Sequence, residues 1–229
     1  MSGEQIIEHM VLFNIKVDAD DSKIDTMIER LNGLISLDSV LHISATLLLP
    51  TRISSFVHFT HILHSRHSSK ENLAVFTDHP SHVSVMTESV NPICEDIMVV
   101  DWDVFDGLNQ PIKLQPGSAI KVAFMKLKEG STAGKKKEEI LGKLGGFKEI
   151  ISSIDQTTCG EILSPARARG YSIAMILVFP GLSKLESSFS DMMRENAHKV
   201  AVTTPTVRDL LDDYLTVEFV VPRRALANN

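Results

Sequence analysis

The sequence predicts an α+β protein made of two ferredoxin-like repeats, each running strand, helix, strand, strand, helix, strand. Three observations lead there. Between residues 8 and 102, apolar runs of strand length alternate in that order with stretches of helical periodicity. The same order returns about 113 residues later. In the strands, apolar residues occupy both parities, so both faces of each sheet are expected to be buried.

Residues 8–15 form the first strand, with His9, Val11, Phe13 and Ile15 on one face and Met10 and Leu12 on the other. Residues 18–22 are an acidic, cap-forming turn. From there Ile24, Met27, Ile28, Leu31, Leu34 and Ile35 fall at helical spacing. Residues 40–49 are the second strand, ended by Pro50, and 56–66 the third. Six of the nine histidines fall between residues 57 and 82. Because side chains alternate, His61 projects with Phe59 and Leu63, whereas His58 and His64 project with Thr60 and Ile62. A histidine at every third position therefore cannot build one metal-binding row. Ser68-Ser69-Lys70-Glu71 reads as a capping box with Ser68 as N-cap, opening a helix through Leu73 and Phe76. Pro80 ends that helix and can start another, which carries Val83, Met86 and Val90 on one face and stops at Pro92. Residues 93–102 close the unit as a fourth strand.

Residues 103–118 carry Gly107, Pro111, Pro116 and Gly117 without periodicity and read as a linker. In the second copy, residues 120–128 echo the first strand. Ile140, Leu144, Phe147 and Ile151 make a helix face interrupted by Gly142, Gly145 and Gly146, each costing up to about 1 kcal/mol against alanine. Residues 156–163 and 171–179 are the paired middle strands, and Ser183 to Glu186 repeats the capping box. Residues 209–214 are expected to end the following helical region, and 215–221 to form the last strand. Eight histidines precede Gly107 and only His198 follows it.

Composition narrows the function. An apolar fraction of 43% with 23% charged residues is that of a globular protein rather than a disordered one. A net charge of −6 gives no electrostatic reason to bind nucleic acid or an anionic membrane. No apolar run approaches the roughly 20 residues that a membrane helix needs. The first residues lack the parts of a signal peptide and the last are no peroxisomal tripeptide, so the cytoplasm is the expected compartment. Cys94 and Cys159 form no CxxC and fit a reducing compartment.

The stretches Glu8-His9-Met10-Val11-Leu12-Phe13, Thr60-His61-Ile62-Leu63 with Ser65-Arg66, and Asp78-His79-Pro80-Ser81-His82-Val83 together resemble the stress-response A/B barrel (Dabb) family of dimeric α+β barrel proteins. Two copies, about residues 7–102 and 119–221, cover nearly the whole chain, as in the tandem plant members of that family. The second copy matches by element order and the Ser-x-x-Glu box. The resemblance implies that the two antiparallel sheets pair into one barrel with helices outside. The two repeats would then form an intramolecular pseudo-dimer, the alternative being a homodimer that pairs copies across chains.

The resemblance also implies a site. His9, His61 and His82 match the histidines lining the pocket of a polyketide-cyclising plant member of the family, with Val11, Phe13, Phe59, Leu63 and Phe76 as pocket neighbours. In that chemistry His82 is the base, and His9 and His61 orient substrate or stabilise the oxyanion; imidazoles titrating near neutrality suit both tasks. Two positions depart from the pattern, since Phe76 and Arg30 stand where that member has tyrosines. The bland reading sits beside it: the three histidines satisfy polar groups inside the fold. His79 is expected to cap the helix junction, His58, His64 and His67 to be interface or surface residues, and Asp101 to orient a histidine or be a solvated charge. His198 is a candidate counterpart of His82, but Lys121 and Ser172 leave the second copy without the other two. No cofactor is expected to be required. Another family member binds magnesium through main-chain carbonyls after its first helix, which here points to Leu31, Leu34 and Leu37, where unpaired carbonyls and the helix dipole favour a cation. The expected function is a stress or defence role through binding a small apolar or aromatic molecule, with ring closure by a lyase and a non-catalytic antifungal or structural role as alternatives.

Overall fold

The structure is a computed structural model that describes residues 5–50, 58–105, 112–129, 134–195 and 209–223. Its first sheet has the order β2-β3-β1-β4, from β1 (Ile7–Ile15), β2 (His42–Leu47), β3 (His61–His67) and β4 (Cys94–Asp103). The second has β6-β7-β5-β8, from β5 (Ala119–Leu127), β6 (Gln156–Glu161), β7 (Ile173–Phe179) and β8 (Leu211–Val220). All pairings within each sheet are antiparallel. Phe13 faces His61 as Met125 faces Ile173, an offset of 112 residues. Even the register break between Asn14 and Ile15 recurs between Lys126 and Leu127.

Each sheet is buried twice. Met10, Leu12, Ile62, Met98, Val100 and Trp102 of the first pack against Ile120, Val122, Phe124, Ile176, Val217 and Phe219 of the second. The other parity of the first sheet, with Val11, Phe13, Ile43 and Leu63, lies under α1 (Asp21–Gly33) and α2 (Lys70–Asp78). The second sheet is covered by α4 (Gly134–Gly145), α5 (Phe147–Ile150) and α6 (Leu182–Glu195), which follow α3 (Pro80–Val85) in the chain. The sheets also join edge to edge. Trp102 bridges to Ile162, Leu163 N–H donates to the Asp101 carbonyl at 2.8 Å, and Phe105 N–H to that of Cys159 at 2.7 Å. At the other edge Leu49 N–H donates to the Glu218 carbonyl at 2.8 Å. The barrel thus closes within one chain. Gly160 lies at the first seam, where an added Cβ would stand 1.9 Å from the Asp103 carbonyl oxygen.

A charged cluster is sealed between the sheets. Glu8, His64 and Arg66 have no solvent exposure. Arg66 Nε donates to Glu8 Oε1 at 3.1 Å, His64 Nε2–H to Oε2 at 2.6 Å, and Thr158 of the second repeat to Oε1 at 3.0 Å. Arg66 also donates to Gln156 Oε1 at 2.7 Å and to the Ile112 carbonyl at 2.8 Å. Burial alone would raise the Glu8 pKa, but Arg66 and His64 outweigh it and hold the carboxyl well below its usual range. Burial lowers the His64 pKa, so Arg66 carries the balancing charge.

Several local expectations shift. The cap of α2 is Ser69, whose hydroxyl accepts from Asn72 N–H at 3.2 Å; Ser68 instead accepts from the Asn72 side chain. In the second copy α6 already begins at Leu182, and Gly181 precedes it, so the Ser183 box lies inside the helix. Val83, expected inside, is 49% exposed, and Val85 is buried in its stead; Val90 is buried as expected, at the end of the π-turn Met86–Val90 into which α3 runs. Residues 211–214 belong to β8 rather than to a helix, since β5 stays paired through Lys126–Asp213 and Met125–Tyr214.

Gly160→Ala is expected to cost about 2–3 kcal/mol, lowering Tm by roughly 5–10 °C, because backbone rather than a flexible side chain must move. Gly142→Ala, with nothing within 4 Å of its Cβ, is expected to stabilise by about 0.5–1 kcal/mol. Arg66→Met, which strands the Glu8 carboxylate, should cost about 3–5 kcal/mol. Thermal and denaturant unfolding of the three variants checks all of these.

Candidate functional site

The helix-facing side of the first sheet collects His9 from β1, Ser65 and His67 from β3, and Asp101 from β4. The register places His9 between Ser65 and Asp101. Asp101 Oδ1 accepts from His9 Nδ1–H at 2.5 Å, and Oδ2 from Arg167 Nη1 at 3.3 Å, reaching over from the second repeat. Burial alone would raise the Asp101 pKa; the hydrogen bond from His9 and the charge of Arg167 help to reverse this and keep it low. The acceptor is a carboxylate, so Nδ1 of His9 carries the hydrogen. Its Nε2 is buried and has no hydrogen-bond partner among the described residues.

Phe76, fully buried on α2, stands over these groups with ring centroids 6.0 Å from His9 and 4.9 Å from His67. His82, on α3, approaches the same ring to 4.7 Å. His67 donates Nδ1–H to the Ser39 carbonyl at 2.7 Å, and its Nε2 accepts from Ser65 Oγ at 3.0 Å. Burial pushes its pKa down to about 4. His82 donates Nδ1–H to the Thr77 carbonyl at 2.9 Å; it is half-buried, and that burial lowers its pKa. His79 caps α3, accepting from Ser81 N–H at 3.1 Å, and Pro80 occupies the first turn. Arg30 of α1 holds this arm by donating to Ser84 and Ser89, each at 2.8 Å. Two residues beyond Asp101 on β4, a groove of about 540 Å³ opens between the repeats, lined by Lys70, Asp103, Phe105, Lys137, Leu141 and Leu163 among others.

The structure thus brings His9 and His82 to one ring and leaves His61 apart. His61 faces Phe13, four residues along β1 from His9 and so about 13 Å away at the rise of a strand. Its Nδ1 lies 2.8 Å from Thr60 Oγ1, and burial lowers its pKa. Phe59 does not share the pocket face. It precedes β3, where strand alternation no longer applies, and packs against the inter-sheet core with the Arg169 guanidinium 4.9 Å from its ring. Val11, Phe13 and Leu63 lie on the expected face as close-packed core. His58 is exposed, and His64 lies in the inter-sheet interface. His198 falls outside the described residues.

The magnesium expectation meets a different backbone. The Leu31 carbonyl accepts from Leu34 N–H, that of Leu34 from Leu37 N–H, and that of Leu37 from Val40 N–H. Each of these oxygens accepts one hydrogen bond rather than standing unpaired, because the helix ends in a 3₁₀ turn followed by a further turn. Among the described residues no group of three or more His, Cys, Asp or Glu is placed to hold a metal. In the second repeat the counterpart of the His9–Asp101 pair is Lys121–Glu218 at 2.5 Å, that of His67 is Phe179, and that of His61 is Ile173 rather than Ser172. Sequence reasoning missed two members of the site. His67 was legible, because it lies six residues from His61 and so shares its face. Arg167 was not, since nothing local marks a loop arginine as reaching the other repeat.

Comparison with known proteins agrees with this architecture. A family model for the stress responsive A/B barrel domain matches residues 7–104. The chain is 50% identical over 218 residues to a stress-response A/B barrel domain-containing protein of Arabidopsis thaliana, covering 95% of this chain and 80% of that one. It is 39% identical to a second protein of the same description and organism, covering 95% of this chain and 97% of that protein. Among solved structures, an anthrone oxidase-like protein superposes with a TM-score of 0.63 over 96% of this chain and 92% of its own, at 12% identity. A protein from Lactobacillus acidophilus described as a putative monooxygenase gives 0.60 over 95% and 94%, also at 12%. At that identity the likeness is one of fold.

Because the folded pKa of His67 lies near 4, below the ordinary imidazole value of 6.5, the unfolded chain binds the proton more readily. The stability linked to neutral His67 is therefore complete above pH 6.5 and is lost as pH falls from there toward 4. His67→Phe, which installs the residue found at Phe179, should lose less Tm across that window than the wild-type chain does. Melting curves between pH 7 and 4 test this, and parallel profiles would count against it.

Proposed function

The chain belongs to the stress-response A/B barrel domain family, and within it we propose that the first repeat binds a small apolar or aromatic molecule at the His9, Phe76 and His82 cluster. One observation carries the reading. His9 is held by Asp101 on one nitrogen and leaves the other buried and, among the described residues, unpartnered beside an apolar ring. Leaving a buried polar atom unpaired costs about 1–3 kcal/mol, which a bound molecule can recover. His82, half-buried, is the member of the cluster that reaches the surface and marks the side of entry.

A second reading, ring closure by proton abstraction next to a carbonyl, has one supporting feature. The pairing of Asp101 with His9 orients an imidazole as a carboxylate does for a general base, and the Thr77 carbonyl leaves His82 Nε2 able to accept a proton as well. The developing enolate would need a hydrogen-bond donor. Phe76 has none to give, and His61 stands about 13 Å along the sheet from His9. Binding is the reading that needs no missing group. It makes a stress or defence role one of capturing or carrying a small metabolite.

A thermal-shift screen of phenolic and polyketide-like compounds against the wild-type chain and His82→Ala tests the proposal. A ligand at a hundred times its Kd should raise stability by about 2.7 kcal/mol, seen as a Tm increase of several degrees. The shift is expected in wild type and largely lost in His82→Ala. Stabilisation of equal size in both proteins would place the ligand elsewhere, and no shift with any compound would overturn the reading.

A further inference from the structure

We infer that the cluster is an acceptor site, selecting neutral aromatic molecules that carry hydroxyl or N–H donors and rejecting aromatic carboxylates and donor-free ethers. The inference rests on the reading of the cluster as a small-molecule site and specifies what that molecule must offer.

The argument is a tautomer count. Each of the three imidazoles around Phe76 gives its Nδ1–H to an oxygen that can only accept: Asp101 Oδ1 for His9, the Ser39 carbonyl for His67 and the Thr77 carbonyl for His82. In the neutral form each imidazole has one N–H, already given to these oxygens, and so presents Nε2 as a lone pair. The lone pair of His67 is occupied by the Ser65 hydroxyl, which uses its hydrogen there. Two acceptors remain, one on His9 and one on His82. The ring between them offers no polar atom. Burial lowers the proton affinity of His67 and His82 and keeps them in this form.

Charge points the same way. The Asp101 carboxylate lies directly behind His9, and the cation facing it, Arg167, is engaged with its second oxygen. A carboxylate or carbonyl entering the cluster would meet lone pairs at both imidazoles and a negative charge behind one of them. A molecule with two hydroxyl groups on an apolar ring would satisfy both nitrogens and stack its ring against Phe76. Where a tyrosine at position 76 would give the site a donor, phenylalanine makes it one-signed.

Isothermal titration of the full chain with 1,2-, 1,3- and 1,4-dihydroxybenzene, their dimethyl ethers and benzoate tests this, the three isomers covering different donor spacings. At least one diphenol should bind about tenfold or more tightly than its own ether and than benzoate, the difference expected for two neutral hydrogen bonds. In His82→Phe, which keeps a ring and deletes one acceptor, the preference should shrink to a few fold. An ether or benzoate that binds as well as the diphenols overturns the acceptor assignment and leaves the small-molecule reading standing. Failure of every compound to bind overturns both. The wild-type comparison decides the matter even where the variant does not fold.

Discussion

β1 must be buried on both faces, and its neighbouring residues Glu8 and His9 bear the consequences. Glu8 turns toward the second repeat, where its carboxylate is meaningful only because Arg66, His64 and Thr158 close around it. His9 turns toward the helices, where Asp101 fixes it and Phe76 covers it. A one-residue slip of this strand would exchange the two side chains and put an unpaired carboxylate under the helices. Register is therefore the constraint common to barrel and site. The buried charges are a weak source of net stability, but a register that left one of them buried and unpaired would be costly. The trio stands in one half only, with Ile120, Ile176 and Val178 at its places in the other. Two first repeats facing one another would bury two such trios without Gln156 and Thr158 to complete them.

Asymmetry between the halves is chemical rather than architectural. The offset of 112 residues and the shared register break show that the backbone plan was kept. The halves differ in the helix-facing row, where the acid and imidazole of one correspond to an acid and an ammonium group, Glu218 and Lys121, in the other. Lysine donates to glutamate there, and neither side chain carries an imidazole nitrogen. The second repeat thus keeps a buried polar pair at this register position but builds it without histidine.

Much of this was legible in the chain. Period-two and period-3.6 patterns located the strands and the first helix because each face is uniformly apolar, and the order of elements then gave the repeat. Legibility failed where the deciding interaction was not local. Ser69 rather than Ser68 caps α2 because Asn72 can bond both serines, a choice that a spacing rule does not contain. On α3 it is Val85 rather than Val83 that turns inward, and a π-turn then carries Val90 into the core; no propensity marks one widened turn. Residues 211–214 read as helix because their pairing partner, β5, lies far away in sequence. At the site, alternation correctly put His9 and His61 on one face, but a face is some 13 Å long over four residues, and parity does not measure distance along it.

Arg167 gives the second repeat a stake in a site that it does not contain. The loop that carries it leaves β6 just past the seam, where Leu163 N–H reaches the Asp101 carbonyl and Trp102 bridges to Ile162. The carboxylate that orients His9 is thereby gripped from both backbone and side chain by the opposite half of the molecule. A map of tolerated substitutions would not follow the chemistry. The second half should show a narrow band of intolerance around residues 160–167, and a survey that scored each residue by its distance from the histidines in sequence would file those lesions as unrelated to them.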